Sequence, residues 1–292
     1  MSNWVLGVIG GSGLYDIDGL ENREWISIDT PWGKPSDDIL FAELDGIKLR
    51  FLPRHGRGHA LSPSDLNFRA NIDAMKRAGC TDLLSLSAVG SLKADYPPGD
   101  FVVVDQFIDR TFKREKSFFG KGCVAHVSVA DPVCSRLADL AHSAAKASGA
   151  TVHMGGTYLA MEGPQFSTKA ESHMYRAWGC DVIGMTNMPE AKLAREAELP
   201  YATIGMVTDF DCWHAGHGNV DVASVIAVLM KNADIARDTV KTLIKTLSQT
   251  PRTPSPQGIE TNLDTAIITA PEARDAALLR KLDAVAGRVL NS

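Results

Sequence analysis

Two aspartates, Asp209 and Asp211, are the residues of this sequence best suited to chemistry. If the chain stays extended, alternation places both carboxyl groups on the same side. Because like charges at this spacing repel, one carboxyl is expected to hold a proton near neutral pH. A carboxylic acid can donate to a purine ring nitrogen and a carboxylate can accept from an exocyclic amine, so the pair suits adenine. An acidic loop or a metal pair is the alternative, although no third ligand follows at a matching spacing.

A glycine-rich segment near the N-terminus could bind an anion. Residues 10–13 place three glycines around Ser12, directly after an apolar run. Glycines let backbone N–H groups approach an anion, and the hydroxyl adds a donor. The segment is not a dinucleotide fingerprint, because Asp16 stands where the third glycine is required, and it lacks the lysine of a P-loop. A plain tight turn is the alternative.

A basic segment, residues 54–59, contains two arginines and two histidines in six positions. Arg54 can bind phosphate through the planar fork of its guanidinium, and His55 can donate a further hydrogen bond. A basic surface loop is the alternative. Two further apolar runs end in hydroxyl residues, Ser87 and Thr186. The four segments together predict an oxyanion site of hydroxyls, backbone amides and one arginine.

The elements that position these segments alternate between short apolar runs and amphipathic stretches, a pattern typical of an α/β fold. The carboxyl ends of such strands meet in a common crevice, which is where the candidate residues lie. The predicted strands are 4–9, 47–52, 82–87, 101–104, 151–161, 181–185 and 202–208. The predicted helices are 67–78, 132–147, 189–198, 221–247 and 270–289.

Composition limits the classes of function. The chain has 292 residues, 45% of them hydrophobic, and a formal net charge of −5, which argues against a general nucleic-acid binder. We expect no membrane span, because no apolar run approaches roughly 20 residues, and we identify no signal peptide. The five cysteines are widely spaced without a Cys-x-x-Cys, so we expect no zinc site, no disulfide scaffold and a cytoplasmic location.

The domain organisation is expected to be simple. Residues 1–248 are predicted to form one domain. Residues 249–292 begin with a segment containing Pro251, Pro254 and Pro256, which cannot be a helix or a central strand. This segment is interpreted as a linker, followed by a C-terminal helical appendage too small to bury its own core.

Seven motifs, in order along about residues 5–245, resemble those of the methylthioadenosine phosphorylases, which belong to the trimeric branch of the purine nucleoside phosphorylase family. This resemblance implies a single-domain α/β fold of the phosphorylase/hydrolase type, with a central mixed, partly barrel-like β-sheet flanked by helices. It also implies a homotrimer with active sites near subunit interfaces and no cofactor, inorganic phosphate being a co-substrate. The motifs are residues 10–14, 31–36, 54–56, 106–111, 162–164, 185–186 and 208–213.

The resemblance also implies roles for individual residues. Asp209 and Asp211 would be catalytic and would bind the base. The implied phosphate contacts are Ser12, Arg54, His55, Ser87, Ala88 and Thr186. The implied substrate contacts are Met185 at the ribose, Phe166 and Ser167 at the base, and His59, Val222, Val225 and Ile226 around the 5′-methylthio group, with His126 entering from the neighbouring subunit.

The expected reaction is phosphorolysis of 5′-methylthioadenosine to adenine and 5-methylthioribose 1-phosphate, a pentosyl transfer in methionine and purine salvage. The expected partners are small molecules, with neither nucleic acid nor membrane. Three alternatives remain open: a purine nucleoside phosphorylase acting on adenosine or 6-oxopurine nucleosides, a nucleosidase that uses water, and a non-catalytic nucleoside-binding module.

Overall fold

The computed structural model describes residues 4–11, 13–215 and 222–291, without the side chains of Val222 and Ser224. In this part of the chain, eleven strands form one mixed sheet with helices packed against it. The strands are β1 (Val5–Gly10), β2 (Glu21–Ile26), β3 (Ile39–Leu44), β4 (Ile47–Pro53), β5 (Asp82–Ser91), β6 (Phe101–Val103), β7 (Gln106–Asp109), β8 (Val152–Met154), β9 (Thr157–Ala160), β10 (Val182–Gly184) and β11 (Tyr201–Asp209).

Seven α-helices are described between and after these strands. Two short 3₁₀-helices, Ile259–Asp264 and Pro271–Ala273, lie near the C-terminus. No helix in the described part of the chain is long and apolar enough to cross a membrane. The helices are α1 (Phe68–Arg77), α2 (Ser135–Ala147), α3 (Lys169–Ala177), α4 (Asn187–Glu196), α5 (Val222–Gln249), α6 (Ala276–Lys281) and α7 (Asp283–Leu290).

The central strand is β5, which pairs with three neighbours. It is parallel to β1 and β11 and antiparallel to β10. The main path of the sheet runs β2-β3-β4-β1-β5-β10-β9-β7, and β11 branches from β5 toward β6 and β8. The predicted mixed sheet flanked by helices is confirmed. Its two end strands, β2 and β7, do not pair with each other, so the sheet is open.

Side chains on both faces of the central strands of this sheet are buried, as their continuous apolar sequences predict. All ten residues of β5 except Ala88 are buried, and eight of the nine residues of β11 are buried. One face of α5 packs on α2 and β11 through Val240, Leu243 and Leu247. The buried strands therefore form a rigid frame whose ends can hold side chains at fixed positions.

Every predicted strand corresponds to an observed strand, although one predicted strand is divided into two. Three observed strands were not predicted. The predicted strand 151–161 is two strands, β8 and β9, because Gly155 and Gly156 adopt φ values of +82° and +136°. The helix predicted over 132–147, with Asp131 as its N-cap, begins instead at Ser135, after the N-cap residue Cys134, whose side chain makes no capping hydrogen bond. Strands β2, β3 and β7 and helix α3 were not among the predicted elements.

The C-terminal segment packs against the rest of the chain. Leu263, Leu282 and Val285 are almost fully buried in the same apolar cluster as residues of α1 and α4. Arg252 bonds Asp82 of β5 at 2.6 Å. The predicted boundary at residue 248 falls at the end of α5, and the single terminal helix predicted over 270–289 is divided into Pro271–Ala273, α6 and α7.

Candidate active site

The carboxyl ends of the parallel strands β1, β4 and β5 lie side by side. Gly10 at the end of β1 is in register with Pro53 at the end of β4, and the Arg54 N–H donates to the Gly10 carbonyl at 2.9 Å. The first two predicted anion-binding segments are therefore neighbours. Ser12, predicted to contact phosphate, lies outside the described residues. The flanking Gly13 adopts φ +92°, and its carbonyl accepts a hydrogen bond from Arg237 of α5.

Strand β10 brings Thr186 to the same place by running antiparallel to β5. Ile183 is opposite Gly90, so the chain that follows β10 runs back alongside Ala88 and Ser87. Ser87 and Thr186 are both buried. Thr186 lies two residues after β10 and is the N-cap residue of α4, but its hydroxyl does not cap that helix. The structure thus brings the predicted phosphate contacts of β4, β5 and β10 together.

Tyr158 of β9 lies beneath these hydroxyl residues. Its side chain is fully buried, and its hydroxyl accepts from the Thr186 N–H at 3.4 Å. Burial raises the pKa of Tyr158 above its usual value, against the opposing effect of the nearby Ser87 hydroxyl. Gly184 makes room for the ring, because a Cβ there would lie 2.0 Å from the Tyr158 oxygen.

Arg54 is buried, with 2% of its side chain exposed. Its Nε and Nη2 donate to the two carboxylate oxygens of Glu190 at 2.9 and 3.1 Å. Nη1 donates to the Leu86 carbonyl, and Nη2 donates also to the Ile9 carbonyl and the Ser85 hydroxyl. The fork predicted to grip phosphate is therefore largely engaged within the protein.

His55 and His59 form a stacked pair, with ring centroids 4.3 Å apart. Nδ1 of His55 lies 2.9 Å from the Leu61 carbonyl, so this nitrogen carries a proton. Burial lowers the pKa of His55 to about 4. In this environment the ring is neutral, and Nε2 is left as an acceptor. His59 is exposed, in the left-handed region at φ +56°.

The two aspartates lie at the end of β11, but they are not related by strand alternation. The strand ends at Asp209, and Asp211 adopts φ +48° in the left-handed region. The Asp211 N–H donates to Oδ1 of Asp209 at 2.7 Å, and the Thr208 hydroxyl donates to Oδ2 at 2.7 Å. The expectation of an extended chain from Asp209 to Asp211 is wrong, because the Asp209 side chain accepts a hydrogen bond from the Asp211 backbone and the chain turns there.

Burial dominates the ionisation of this pair. It raises the pKa of Asp209, and the negative charge of Asp211 raises it further, which together outweigh the two hydrogen bonds. Burial also raises the pKa of Asp211, against the opposing effects of Ser172 and Ser167. Oδ2 of Asp211 is buried without a hydrogen-bond partner among the described residues, so it can accept a donor from a ligand.

Gly90 of β5 makes room for Asp209. A Cβ at Gly90 would lie 2.8 Å from Oδ1 of Asp209. The Cys212 thiol donates to the Ser167 carbonyl at 3.3 Å, which joins the aspartate turn to the segment after β9. Phe166, the predicted base-stacking residue, is 42% exposed beside this contact. The predicted base-binding residues therefore form one cluster.

Met185 lies between the two clusters of residues. Its side chain is close enough to Gly163 that a Cβ there would be 2.5 Å from the sulfur. Arg114 donates to the Met185 carbonyl and pairs with Glu162 at 3.2 Å. Hydrogen bonds from Ser64 and two backbone N–H groups outweigh burial and lower the pKa of Glu162 to about 2.

The residues predicted around the 5′ group are only partly described. The Val222 side chain lies outside the described part of the structure, whereas Val225 is half-buried and Ile226 is 49% exposed on the first turns of α5. His126, predicted to act in a neighbouring subunit, is exposed and distant in sequence from the other residues. The backbone N–H of His126 donates to the Ala266 carbonyl at 2.9 Å.

Four buried residues of the site were missed by sequence reasoning: Tyr158, Asn187, Glu190 and Tyr201. Glu190 lies in a predicted helix with other charged residues, and no local pattern separates it from a surface glutamate. Across the described ranges, no group of three or more His, Cys, Asp or Glu side chains could hold a metal ion.

Comparison with known proteins places the chain in a family. The family profile described as "Phosphorylase superfamily" matches residues 5–245. An S-methyl-5′-thioadenosine phosphorylase of Cereibacter sphaeroides is 62% identical over 98% of this chain and 98% of its own length. That of Geobacter sulfurreducens is 48% identical, over 97% and 98%.

Solved structures of similar proteins support the same family assignment. A methylthioadenosine phosphorylase from an antarctic soil metagenomic library has a TM-score of 0.91 and 46% identity, covering 97% of this chain and 99% of that one. A methylthioadenosine phosphorylase from Schistosoma mansoni, in complex with adenine, has a TM-score of 0.81 and 35% identity, covering 90% and 98%. The chain therefore belongs to the phosphorylase superfamily, in the group of the S-methyl-5′-thioadenosine phosphorylases.

Proposed function

We propose that this protein is a pentosyltransferase that cleaves 5′-methylthioadenosine with inorganic phosphate, giving adenine and 5-methylthioribose 1-phosphate. The observation that carries the proposal is the pair of adjoining clusters: buried hydroxyls and Arg54 at the ends of β4, β5 and β10, and buried carboxyls at the end of β11. The relatives named above bear the same activity in their names.

Phosphate would bind at the strand ends through Ser12, Ser87, Thr186, the Ala88 N–H and Arg54. Its negative charge would stabilise the cationic ribose that develops as the glycosidic bond breaks. No cofactor is needed, because the phosphate oxygen itself forms the new bond to C1′ as the purine leaves. His55, with Nε2 free to accept, would take a hydrogen bond from a protonated phosphate oxygen.

Asp209 would act as the acid at the leaving base. Its raised pKa favours the protonated form, and donating this proton toward N7 would neutralise the charge that the departing purine acquires. Asp211 would accept from the exocyclic amine of adenine through its unpartnered Oδ2. An ionised carboxylate accepts but cannot donate, so Asp211 would favour the 6-amino group of adenine over the 6-oxo group of a 6-oxopurine.

Phe166 would stack on the base with Ser167 beside it, and Met185 would lie against the ribose. The 5′-methylthio group would contact His59, Val222, Val225 and Ile226. The apolar, half-exposed surface of α5 suits a thioether better than a hydroxyl, a preference worth about 1 to 3 kcal/mol.

The assembly would be a homotrimer in the cytoplasm. Phe112 and Ile268 are 73% and 63% exposed, and a subunit contact that covered these apolar side chains would be favourable. Ile268 lies close to His126, since the adjoining residues Ala125 and Ile267 form a bridge. This location is consistent with His126 entering a neighbouring active site. Light scattering of the purified protein measures the oligomeric state.

The experiment that tests the function is product analysis. The purified chain is incubated with methylthioadenosine in the presence and absence of phosphate, and the products are separated chromatographically. Adenine that appears only with phosphate supports phosphorolysis. Adenosine and inosine in parallel assays test the specificity for the base and the 5′ group.

A further inference from the structure

Glu190 is the one carboxylate that contacts Arg54 in the described part of the chain. Both side chains are nearly inaccessible, with 2% of Arg54 and 1% of Glu190 exposed. The two hydrogen bonds between them are bidentate, which fixes the plane of the guanidinium as well as its position. A buried ion pair of this kind is weak evidence for stability, because desolvation offsets much of the attraction. Its geometry therefore calls for a functional explanation.

A second layer of hydrogen bonds holds Glu190. The Tyr201 hydroxyl donates to Oε1 of Glu190 at 2.9 Å. Asn187 in turn donates to the Tyr201 hydroxyl at 2.7 Å and to Thr203 at 2.7 Å. These residues are buried and belong to the first turn of α4 and to β11. Glu190 is thus fixed by the frame of the sheet rather than by Arg54 alone.

The guanidinium of Arg54 has more N–H donors than the acceptors around it use. The guanidinium has five N–H groups. Its Nε and Nη2 bond Glu190, Ser85 and the Ile9 carbonyl, whereas Nη1 has two hydrogens and a single acceptor, the Leu86 carbonyl, among the residues described. One N–H of Nη1 is therefore the donor that Arg54 can offer to a bound anion.

We propose that Glu190 is a positioning residue for phosphate: it fixes the plane of Arg54 so that one Nη1 N–H is aimed at the co-substrate. This inference rests on the proposed phosphorolysis. Thr186 and Glu190 lie at the N-cap and first turn of the same helix, α4. The backbone is non-helical at Met188, between these two residues, so one short segment rather than one uninterrupted helical turn carries both the proposed phosphate contact and the residue that orients the arginine.

The rival explanation is that Glu190 only neutralises Arg54, and it predicts the opposite sign. Removing the charge without any loss of position would leave a buried cation, which would attract phosphate more strongly and lower the KM for phosphate. Loss of position raises this KM. In Glu190→Gln, the amide nitrogen faces a donor of Arg54, so the guanidinium must rotate away.

The test compares Glu190→Gln and Tyr201→Phe with the wild-type chain, with KM measured separately for phosphate and for methylthioadenosine. We expect Glu190→Gln to raise the KM for phosphate about 10- to 100-fold, with a change of less than about threefold in the KM for the nucleoside. Tyr201→Phe removes only the hydroxyl that holds Glu190, keeps every charge, and should raise the KM for phosphate by a smaller factor.

Glu198→Gln is the matched control. Glu198 is also buried and pairs with an arginine, but this partner is Arg288 of the C-terminal segment rather than Arg54. It should leave both KM values unchanged. If Glu190→Gln does not fold, the KM for phosphate of Tyr201→Phe tests the inference instead.

An unchanged or lowered KM for phosphate in the folded Glu190 variant, or in Tyr201→Phe when it alone folds, overturns the inference. So does an equal rise in both KM values. Absence of phosphate-dependent cleavage in the wild-type chain would instead overturn the proposed function, and the two failures are thereby distinguished.

Discussion

At the scale of single residues, the environment of Asp209 explains why the pKa of this carboxyl lies above its usual value. Two donors, the Thr208 hydroxyl and the Asp211 N–H, stabilise its ionised form. Burial and the charge of Asp211 act in the other direction and prevail, so the pKa is raised. The second aspartate is therefore both a candidate ligand for the base and part of the cause of the raised pKa of the first.

Replacing Asp209 by Asn tests this role. The amide keeps the size of the side chain but has no proton to transfer, so kcat on methylthioadenosine should fall about 10²- to 10⁴-fold. Steady-state kinetics measures the change, and circular dichroism confirms the fold. A variant with near-native kcat would show that Asp209 is not the acid.

A second residue-scale prediction concerns stability and pH. Burial raises the pKa of Glu196 from 4.5 to about 7, against the hydrogen bonds from Ser117 and Phe118. Between these values the folded chain keeps a proton that the unfolded chain has lost, so the free energy of unfolding falls as pH rises. The shift corresponds to at most about 3 kcal/mol.

Urea denaturation at pH 5 and pH 8 checks this prediction. Glu196→Gln cannot ionise, so the stability of the wild type relative to this variant should fall between the two pH values. Glu115→Gln, at an exposed position, is the control and should show no such change. Equal differences at both pH values would contradict the assignment to Glu196.

Much of the residue pattern was visible in the sequence, but its geometry was not. The spacing of Asp209 and Asp211 predicted a pair of carboxyls, and the structure brings them together. Their arrangement depends on a side-chain-to-backbone hydrogen bond that holds Asp211 in the left-handed region, which spacing cannot reveal. The role of Glu190 could not be predicted for a similar reason, because its partner, Arg54, is 136 residues away in sequence.

At the scale of elements, the antiparallel pairing of β10 with β5 assembles the anion site. This pairing turns the chain after Ile183 back toward Ser87 and places α4 where its first turn can reach Arg54. The buried, nearly continuous apolar strands β5 and β11 were predictable from their composition. The strands β2 and β7 were not, because they lie at the ends of the sheet, where no residue of either strand is fully buried and where neither forms a continuous apolar run.

Gly184→Ala tests the coupling between these elements. A Cβ would meet the Tyr158 hydroxyl at 2.0 Å, so either the ring or the end of β10 must move, and Thr186 moves with it. We expect kcat/KM for phosphate to fall at least about tenfold, since a displacement near 1 Å can cost about 10²-fold. Gly120→Ala, where no atom lies within 4 Å, should retain the native value. Unchanged kinetics in Gly184→Ala would show that Tyr158 does not support the site.

At the scale of the whole molecule, residues 249–292 belong to the packing of the fold. Their proline-rich start predicted a linker from composition alone, which cannot show that Arg252 would bond Asp82 or that Leu282 would be fully buried. Contacts of this kind join residues distant in sequence, so they carry no local signature. The expected domain boundary at residue 248 stays a prediction.

Leu282→Ala tests how firmly this segment is joined to the core. The side chain is fully buried in the cluster shared with α1 and α4, so its truncation should lower the free energy of unfolding by about 2 to 5 kcal/mol. Arg280→Ala, at an exposed position of α6, should change it by less than about 0.5 kcal/mol. Similar small effects of both variants would show that the segment is only loosely attached.

The central claim is that the two adjoining clusters carry out phosphorolysis of methylthioadenosine. Its most direct test is to follow the purified chain with methylthioadenosine and to quantify both products with and without phosphate. We predict equal amounts of adenine and 5-methylthioribose 1-phosphate with phosphate present, and no cleavage in its absence. Adenine released without phosphate, or no adenine under either condition, would contradict the account.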